Sequence, residues 1–507
     1  MPHQSHYCNK LSSIYNMDKP TTKVSTTATH VVHSQHPISL HEPFVLGPFD
    51  HLSHFSTPVN AVWFYESSST TLVPLERLKK VISRLLDYYP HLTGRLQIDP
   101  DTGTYSVSRL GSGMHLVEAH CDASFRSFAS LSSSTSGREF DIFDFPRHGN
   151  ALLAPWDLSI EGAQRDPVFT IQRTEFACSA VAIGMRLSHV VGGAGTFLSL
   201  YQDLAEIYRA IDNSNGPIEL RSPPHLPPFM VSQMLHMDID EKEKALNQRP
   251  AAYSLYDAKS APEGPAEGEA QHHLKLNKDL LVGRSLRFSS SAIGILKHQA
   301  ANPDDDSFRV SSFTALTAHL WQHIHHARLA NAKSHLQDDL SVYAKSMYGT
   351  SVNFIPHFGL PKRSLGNTVV TPVVELDSTE LEQANLWEIN KIINGLVRHV
   401  SEEETRQLGS WVAAQPKKSD IRLNFKVTPT TLITTGWHVF PLYSGSELEV
   451  SPAFASPVFM ESLFDGIVFF VEPKARDGSL GAIAALKAST WELLDADEGF
   501  ITTWDRG

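Results

Sequence analysis

The sequence predicts an α/β or α+β fold in two domains, and three observations carry that prediction. A chain of 507 residues, 41 % hydrophobic and 19 % charged, is long enough to bury more than one core. Bulky apolar runs of strand length alternate with segments of helical periodicity and with pairs of strands. Residues 213–268 interrupt the alternation with Pro217, Pro223, Pro224, Pro227 and Pro228, a charged run at 241–244, and Pro262-Glu263-Gly264-Pro265. That composition reads as a linker with room for one short helix.

Taken in order, residues 1–36 are rich in Ser, Thr and His and lack an apolar core of roughly 7–15 residues behind a basic start. They are read as a flexible N-terminal segment. The first domain is placed at 37–212. In it, Ala61 to Tyr65 (AVWFY) is a strand candidate. Leu75, Leu78, Ile82, Leu85, Leu86 and Tyr89 recur at three- and four-residue spacing and stop at Pro90, which predicts a helix. Asp99-Pro100-Asp101-Thr102-Gly103 supplies turn residues between two short apolar runs, hence a hairpin. Val168 to Phe176 and Ala177 to Leu187 read as strands, the second one buried, and Phe197 to Tyr208 as an amphipathic helix.

The second domain is placed at 269–507. Its strongest element is a helix over Phe313 to Ala330, opened by Ser311-Ser312 as capping candidates. Strands are expected at Thr368 to Leu376, Ile421 to Val427, Leu442 to Val450 and Ile467 to Val471. No internal repeat of roughly 20 to 50 residues is visible.

Composition excludes several function classes. Lys plus Arg is 43 and Asp plus Glu is 55, a net charge of −12, so nucleic acid is not an expected partner. No run approaches the roughly 18 apolar residues that cross a bilayer, and no membrane partner is expected. Cys8, Cys121 and Cys178 lie far apart and form neither a disulfide framework nor a CxxC knuckle, which fits a reducing, cytoplasmic setting.

The first candidate for chemistry is His189, in Ser188-His189-Val190-Val191-Gly192-Gly193-Ala194-Gly195, between a buried strand and a helix. An imidazole with a reference pKa of about 6.5 can take a proton at cellular pH. The small residues Gly192, Gly193 and Gly195 leave room beside the ring for a substrate or a close backbone. The alternative for His189 is a satisfied structural histidine beside a turn. The glycine run lacks the Lys-Ser/Thr of a phosphate loop and the spacing of GxGxxG. His323-Ile324-His325-His326 has no carboxylate or thiol at ligand spacing, so it is read as a solvated helix face and no metal is expected. GxSxG is absent, and no cysteine has a nearby histidine, so covalent hydrolase chemistry finds no support.

Six segments, in order, resemble the BAHD-like, CoA-dependent acyltransferases, particularly their fungal secondary-metabolite branch. Tyr89-Pro90-His91-Leu92-Thr93-Gly94-Arg95 resembles YPxxxGR; His189, Gly193 and Gly195 stand where the family has HxxxDGxG. Thr314 to Trp321 is similar to DALTAxLW, and Gly366-Asn367 to the family's GN. Thr435-Gly436-Trp437 with Phe440-Pro441-Leu442-Tyr443 resembles the TSW and FPxYxxDFGWG region. Asp465-Gly466-Ile467-Val468-Phe469 is similar to the last DG-hydrophobic strand. The resemblance runs from about Ile38 to the C-terminus.

It implies two similar-sized α/β domains of the chloramphenicol-acetyltransferase-like type, each a mixed sheet flanked by helices, joined by a crossover loop and pierced by a channel. It implies acyl transfer from acyl-CoA, a co-substrate rather than a bound cofactor, to a hydroxyl or amine of a small natural product. His189 is the implied general base, Thr435 and Trp437 hold the oxyanion, and a monomer without a metal suffices. Three positions depart from the pattern: Gly193 replaces the aspartate, Ser446 to Val450 replaces DFGWG, and Asn353, Ile355 and His357 stand in the D-x-R-x-R strand. In the family that aspartate pairs with an arginine of the strand. Stranding one member of a buried ion pair costs about 3–5 kcal/mol, whereas losing both is close to neutral, so the scaffold is expected to be compensated. Without the aspartate, packing and backbone hydrogen bonds are expected to hold the histidine loop. Retention of Thr435 and Trp437, whose alternative reading is plain strand packing, favours acyl chemistry, since a lost oxyanion donor costs a factor of about 10²–10³. The alternatives are a CoA-independent cyclisation or rearrangement in a repurposed channel, and a binding scaffold without activity.

Overall fold

In a computed structural model, the structure describes residues 22–131, 138–211, 218–248, 250–256, 280–305, 308–334, 340–425, 428–460, 464–501 and 503. The predicted alternation resolves into two six-stranded mixed sheets, each flanked by helices, which is the two-body α/β architecture expected. The first sheet has the order Val24–Val32, Met114–Cys121, Phe169–Phe176, Val181–Ser188, Pro58–Tyr65 and Phe454–Pro457. Only its second and third strands run parallel. The second has the order Leu281–Phe288, Leu480–Lys487, Ile467–Val471, Leu432–Gly436, Lys345–Thr350 and Val373–Asp377, with Leu432–Gly436 parallel to both of its neighbours.

The central strands Pro58–Tyr65 and Val181–Ser188 are buried at every position, so both faces of the first sheet are covered there. The helix Leu75–Tyr88 turns Leu78, Val81, Ile82, Leu85 and Leu86 inward and lies against the helix Ala194–Ala210. Trp63 stacks on Tyr201 and donates its indole N–H to the carbonyl of Leu442, 2.9 Å away, which ties the second half of the chain to the first core. The strand Phe454–Pro457 extends the same link, because it pairs with Pro58–Tyr65.

Several expectations need correction. Residues 24–32, expected in the flexible segment, form an edge strand laddered with Met114–Cys121. The strand expected from Ala177 begins at Val181; residues 177–180 are the turn of a hairpin, with Ser179 at φ 64°. The linker carries two short helices, Val231–His236 and Ile239–Leu246, rather than one. Residues 257–279, which include the expected start of the second domain at 269, lie outside the described residues.

Leu442 to Val450 is not a strand. Its alternating apolar residues Leu442 and Leu448 are anchors in the first core, and the segment bends at Gly445, where φ is 82°. Side chains from the first half replace the missing ladder. Tyr65 donates to the carbonyl of Ser446 at 2.6 Å, and Glu449 accepts from the backbone N–H of Val73 at 3.1 Å and from Arg77 at 3.3 Å.

The histidines of the long helix Ser312–Ser334 do not form a solvated face. His319 stacks on Phe500 and lies 3.0 Å from the Thr503 hydroxyl; His323 meets the carboxylate of Asp497 at 2.6 Å. His325 is buried with Ser378 Oγ 2.7 Å away. Segments distant in sequence cover a face that the helix alone leaves polar. No cluster that could hold a metal ion occurs among the described residues.

Candidate active site

The strand Val181–Ser188 ends in a 3-10 turn, His189–Val191, which leads through Gly192 and Gly193 into the helix Ala194–Ala210. Ser188, Val190 and Val191 are buried, whereas His189 is half-buried. The His189 backbone N–H donates to the Thr57 carbonyl at 3.0 Å. Its carbonyl accepts from Gly192 N–H at 3.3 Å and from the side-chain amide of Asn367 at 2.7 Å. Ser53 Oγ lies 3.2 Å from His189 Nδ1. Burial lowers the imidazole pKa below its usual value, while its own backbone and the Asn367 side chain partly oppose that shift. The ring is therefore neutral near pH 7, as a base must be.

The histidine loop is held by more than packing and backbone hydrogen bonds. Asn367, known from sequence only as part of a GN pair, donates both its backbone N–H (2.7 Å) and its side-chain amide (3.0 Å) to Oδ1 of Asp50. Asp50 Oδ2 accepts from Gly47 N–H at 2.9 Å. The carboxyl is buried, and burial pushes its pKa up to about 7, with the three N–H donors pulling the other way. Gly366 has φ 83°, and a Cβ there would stand 2.9 Å from Asp50 Oδ1, so only glycine brings Asn367 to the carboxylate. A Cβ at Gly193 would stand 3.3 Å from Asn367 Oδ1 and 3.9 Å from His189 Cε1.

Of the residues predicted for the site, the structure gathers Gly192 and Gly193 around His189 and places Gly195 against Phe440, 3.3 Å from where its Cβ would be. Thr435 lies half-buried near the end of Leu432–Gly436, in register with Phe469, and its hydroxyl makes no hydrogen bond among the described residues. Trp437 is buried, stacks on Phe469 at 5.8 Å and meets Phe197 of the helix that follows His189 at 5.9 Å. No hydrogen bond joins Thr435 or Trp437 to His189 among the described residues. At the replaced D-x-R-x-R strand, Asn353 accepts from Ile355 N–H at 3.0 Å, a local turn contact.

Sequence reasoning missed Asp50, Ser53 and the role of Asn367. The available signal was an acid inside the apolar run Phe44 to Leu52, where a charge has to find partners. A second tie stabilises the loop before Asn367. Arg363 pairs with Asp203 of the helix Ala194–Ala210 at 2.5 Å, and Tyr89 donates to the same oxygen at 2.5 Å. A small recess beside Ser188 is lined by Phe55, Leu96, Trp156 and Val168.

The profile of the Transferase family matches residues 22–498. The chain is 22 % identical over 342 residues to Acyltransferase GLAUCE of Arabidopsis thaliana, covering 66 % of this chain and 66 % of GLAUCE, just under two thirds of that relative's length. It superposes on the crystal structure of vinorine synthase with a TM-score of 0.64 at 16 % identity, covering 95 % of this chain and 99 % of the other. It superposes on F. graminearum TRI101, crystallised with coenzyme A and deoxynivalenol, with a TM-score of 0.66 at 16 % identity, covering 92 % and 99 %. Those likenesses establish the fold, and the profile match over nearly the whole chain assigns the family: this protein belongs to the Transferase family of BAHD-type acyltransferases.

Proposed function

We propose that the protein transfers an acyl group from acyl-CoA to a hydroxyl or amine of a small natural product, as a member of the fungal secondary-metabolite branch. The observation that carries this reading is a neutral, half-buried imidazole held at a strand-to-helix junction in a chain of this family. His189 takes the acceptor's proton as its oxygen or nitrogen attacks the thioester carbonyl. The tetrahedral oxyanion is received by the Thr435 hydroxyl and the Trp437 indole N–H. On collapse the carbon–sulfur bond breaks, the imidazolium returns its proton to the CoA thiolate, and no covalent acyl-enzyme forms. For Nε2 to act as the base, Nδ1 carries the ring proton and Ser53 Oγ accepts it.

The binding of coenzyme A by TRI101 supports acyl-CoA as co-substrate here. Free Cys121 and Cys178 support a reducing, cytoplasmic setting, and the chemistry needs only one copy of the chain. The test is mass spectrometry of products from a panel of acyl-CoA donors and hydroxylated or aminated acceptors, with His189→Ala as the control. Turnover falls by about 10²–10⁴ in that variant, and unchanged turnover removes the base role. A CoA-independent rearrangement predicts product without any CoA ester and no saturable acyl-CoA binding by calorimetry.

A further inference from the structure

Asp50 is buried, and no arginine or lysine lies within ion-pair distance of it among the described residues. A buried carboxylate without a cation is costly, and such groups persist where the site uses them. All three groups it receives are N–H donors, and two belong to Asn367. This fixes which way the Asn367 amide faces. The NH2 end has two acceptors, Asp50 Oδ1 and the His189 carbonyl. The flipped amide would set its oxygen against the carboxylate and leave that carbonyl without its donor. Asn367 Oδ1 is consequently directed to the other side, where it is buried and has no hydrogen-bond partner. On that side stand the vacant side-chain position of Gly193 and the Cε1 edge of His189.

We propose that Asp50 and Asn367 are positioning residues for His189: Asp50 holds the Asn367 amide in one orientation, and its carbonyl oxygen stabilises the imidazole as it becomes cationic. The inference rests on His189 being the base. Gly193 is part of the device, since any side chain there would crowd the amide oxygen.

The test uses the full chain and two readouts. In steady-state kinetics, Asn367→Ala lowers kcat by about tenfold or more, the scale of a misplaced general base, and leaves KM for acyl-CoA within about twofold. Asp50→Ala does the same, and the double variant loses no more than Asn367→Ala alone, because the two act in one chain. In 15N NMR, the His189 imidazole, assigned by its absence in His189→Gln, titrates at lower pH in both single variants. Unchanged kcat together with an unmoved His189 titration overturns the proposal, and multiplicative losses in the double variant overturn the relay from Asp50. Should Asp50→Ala fail to fold, Asp50→Asn has the same shape without the charge; the same shift is expected in smaller measure, and its absence overturns the proposal. If the wild-type chain transfers no acyl group, the functional reading fails, and the NMR titration still decides the positioning role.

Discussion

Asp50 and Asn367 stand 317 positions apart in sequence, yet one carboxylate oxygen of the first receives both the backbone and side-chain N–H of the second, at 2.7 and 3.0 Å. The contact fastens the 3-10 turn Pro48–Leu52 to a loop of the second half, and the Asn367 amide carries the connection on to the His189 carbonyl. With Gly193 in place of an acid and no arginine at Asn353, Ile355 or His357, a single carboxyl and an amide hold the histidine loop. The arrangement keeps a titratable carboxyl buried.

That carboxyl sets a pH dependence of stability. The folded-state pKa of Asp50, about 7, is raised above its ordinary 3.8, so the fold favours the neutral carboxyl. Its contribution is fully present below pH 3.8 and is lost as pH rises to about 7. Asp50→Asn does not titrate. Thermal unfolding of the two proteins at matched pH is expected to show the wild type losing ground between about pH 4 and 7 and holding a constant difference above that. A difference that stays flat across the window places the Asp50 carboxyl in water-like surroundings and contradicts its burial.

The imidazole sets a second dependence, of opposite use. Burial holds the His189 pKa below 6.5, and the base must be neutral to accept a proton. Activity therefore persists through pH 7 and falls in acid, with the midpoint of the kcat/KM limb below 6.5. A limb centred above that value identifies a different base.

Restoring an acid at position 193 is expected to harm this protein. A Cβ there stands 3.3 Å from Asn367 Oδ1, and no arginine occupies Asn353, Ile355 or His357 to receive a carboxylate. Gly193→Asp brings an unpaired charge toward an amide oxygen that already lacks a donor, a change costing about 3–5 kcal/mol for a buried site. A lowered unfolding midpoint and reduced turnover are expected together; Gly193→Asp with full stability shows that the loop can turn outward.

Much of the fold was legible because local chemistry decided it. Ile467–Val471 appears with the bounds its apolar run predicts, and the helix Leu75–Tyr88 stops at Pro90 because proline cannot continue it. His189 was legible as a polar residue between a buried strand and a glycine-rich turn. Asp50 was not, because its partners arrive from residue 367 and no periodicity records such a meeting. The polar helix face at His323 was misread for the same reason: Asp497 and Phe500 cover it from the far end of the chain. In Leu442 to Val450, alternation marked burial correctly, yet it does not distinguish a laddered strand from a bent segment anchored by every second side chain.

That bent segment yields the last prediction. Glu449 is 11 % exposed and accepts from Arg77, from the Val73 backbone and from the Tyr208 hydroxyl, all in the first half of the chain. Glu449→Ala removes the carboxylate shared by the Val73 backbone N–H and the Arg77 guanidinium, which costs about 1–3 kcal/mol. The double variant Arg77→Ala/Glu449→Ala loses less than the sum of the two single variants, since each single change already removes the contact between them. Thermal unfolding of the two single variants and the double reads this directly. Strict additivity sinks the pairing, and the segment replacing the family's DFGWG is then held by Leu442 and Leu448 in the core rather than by charge.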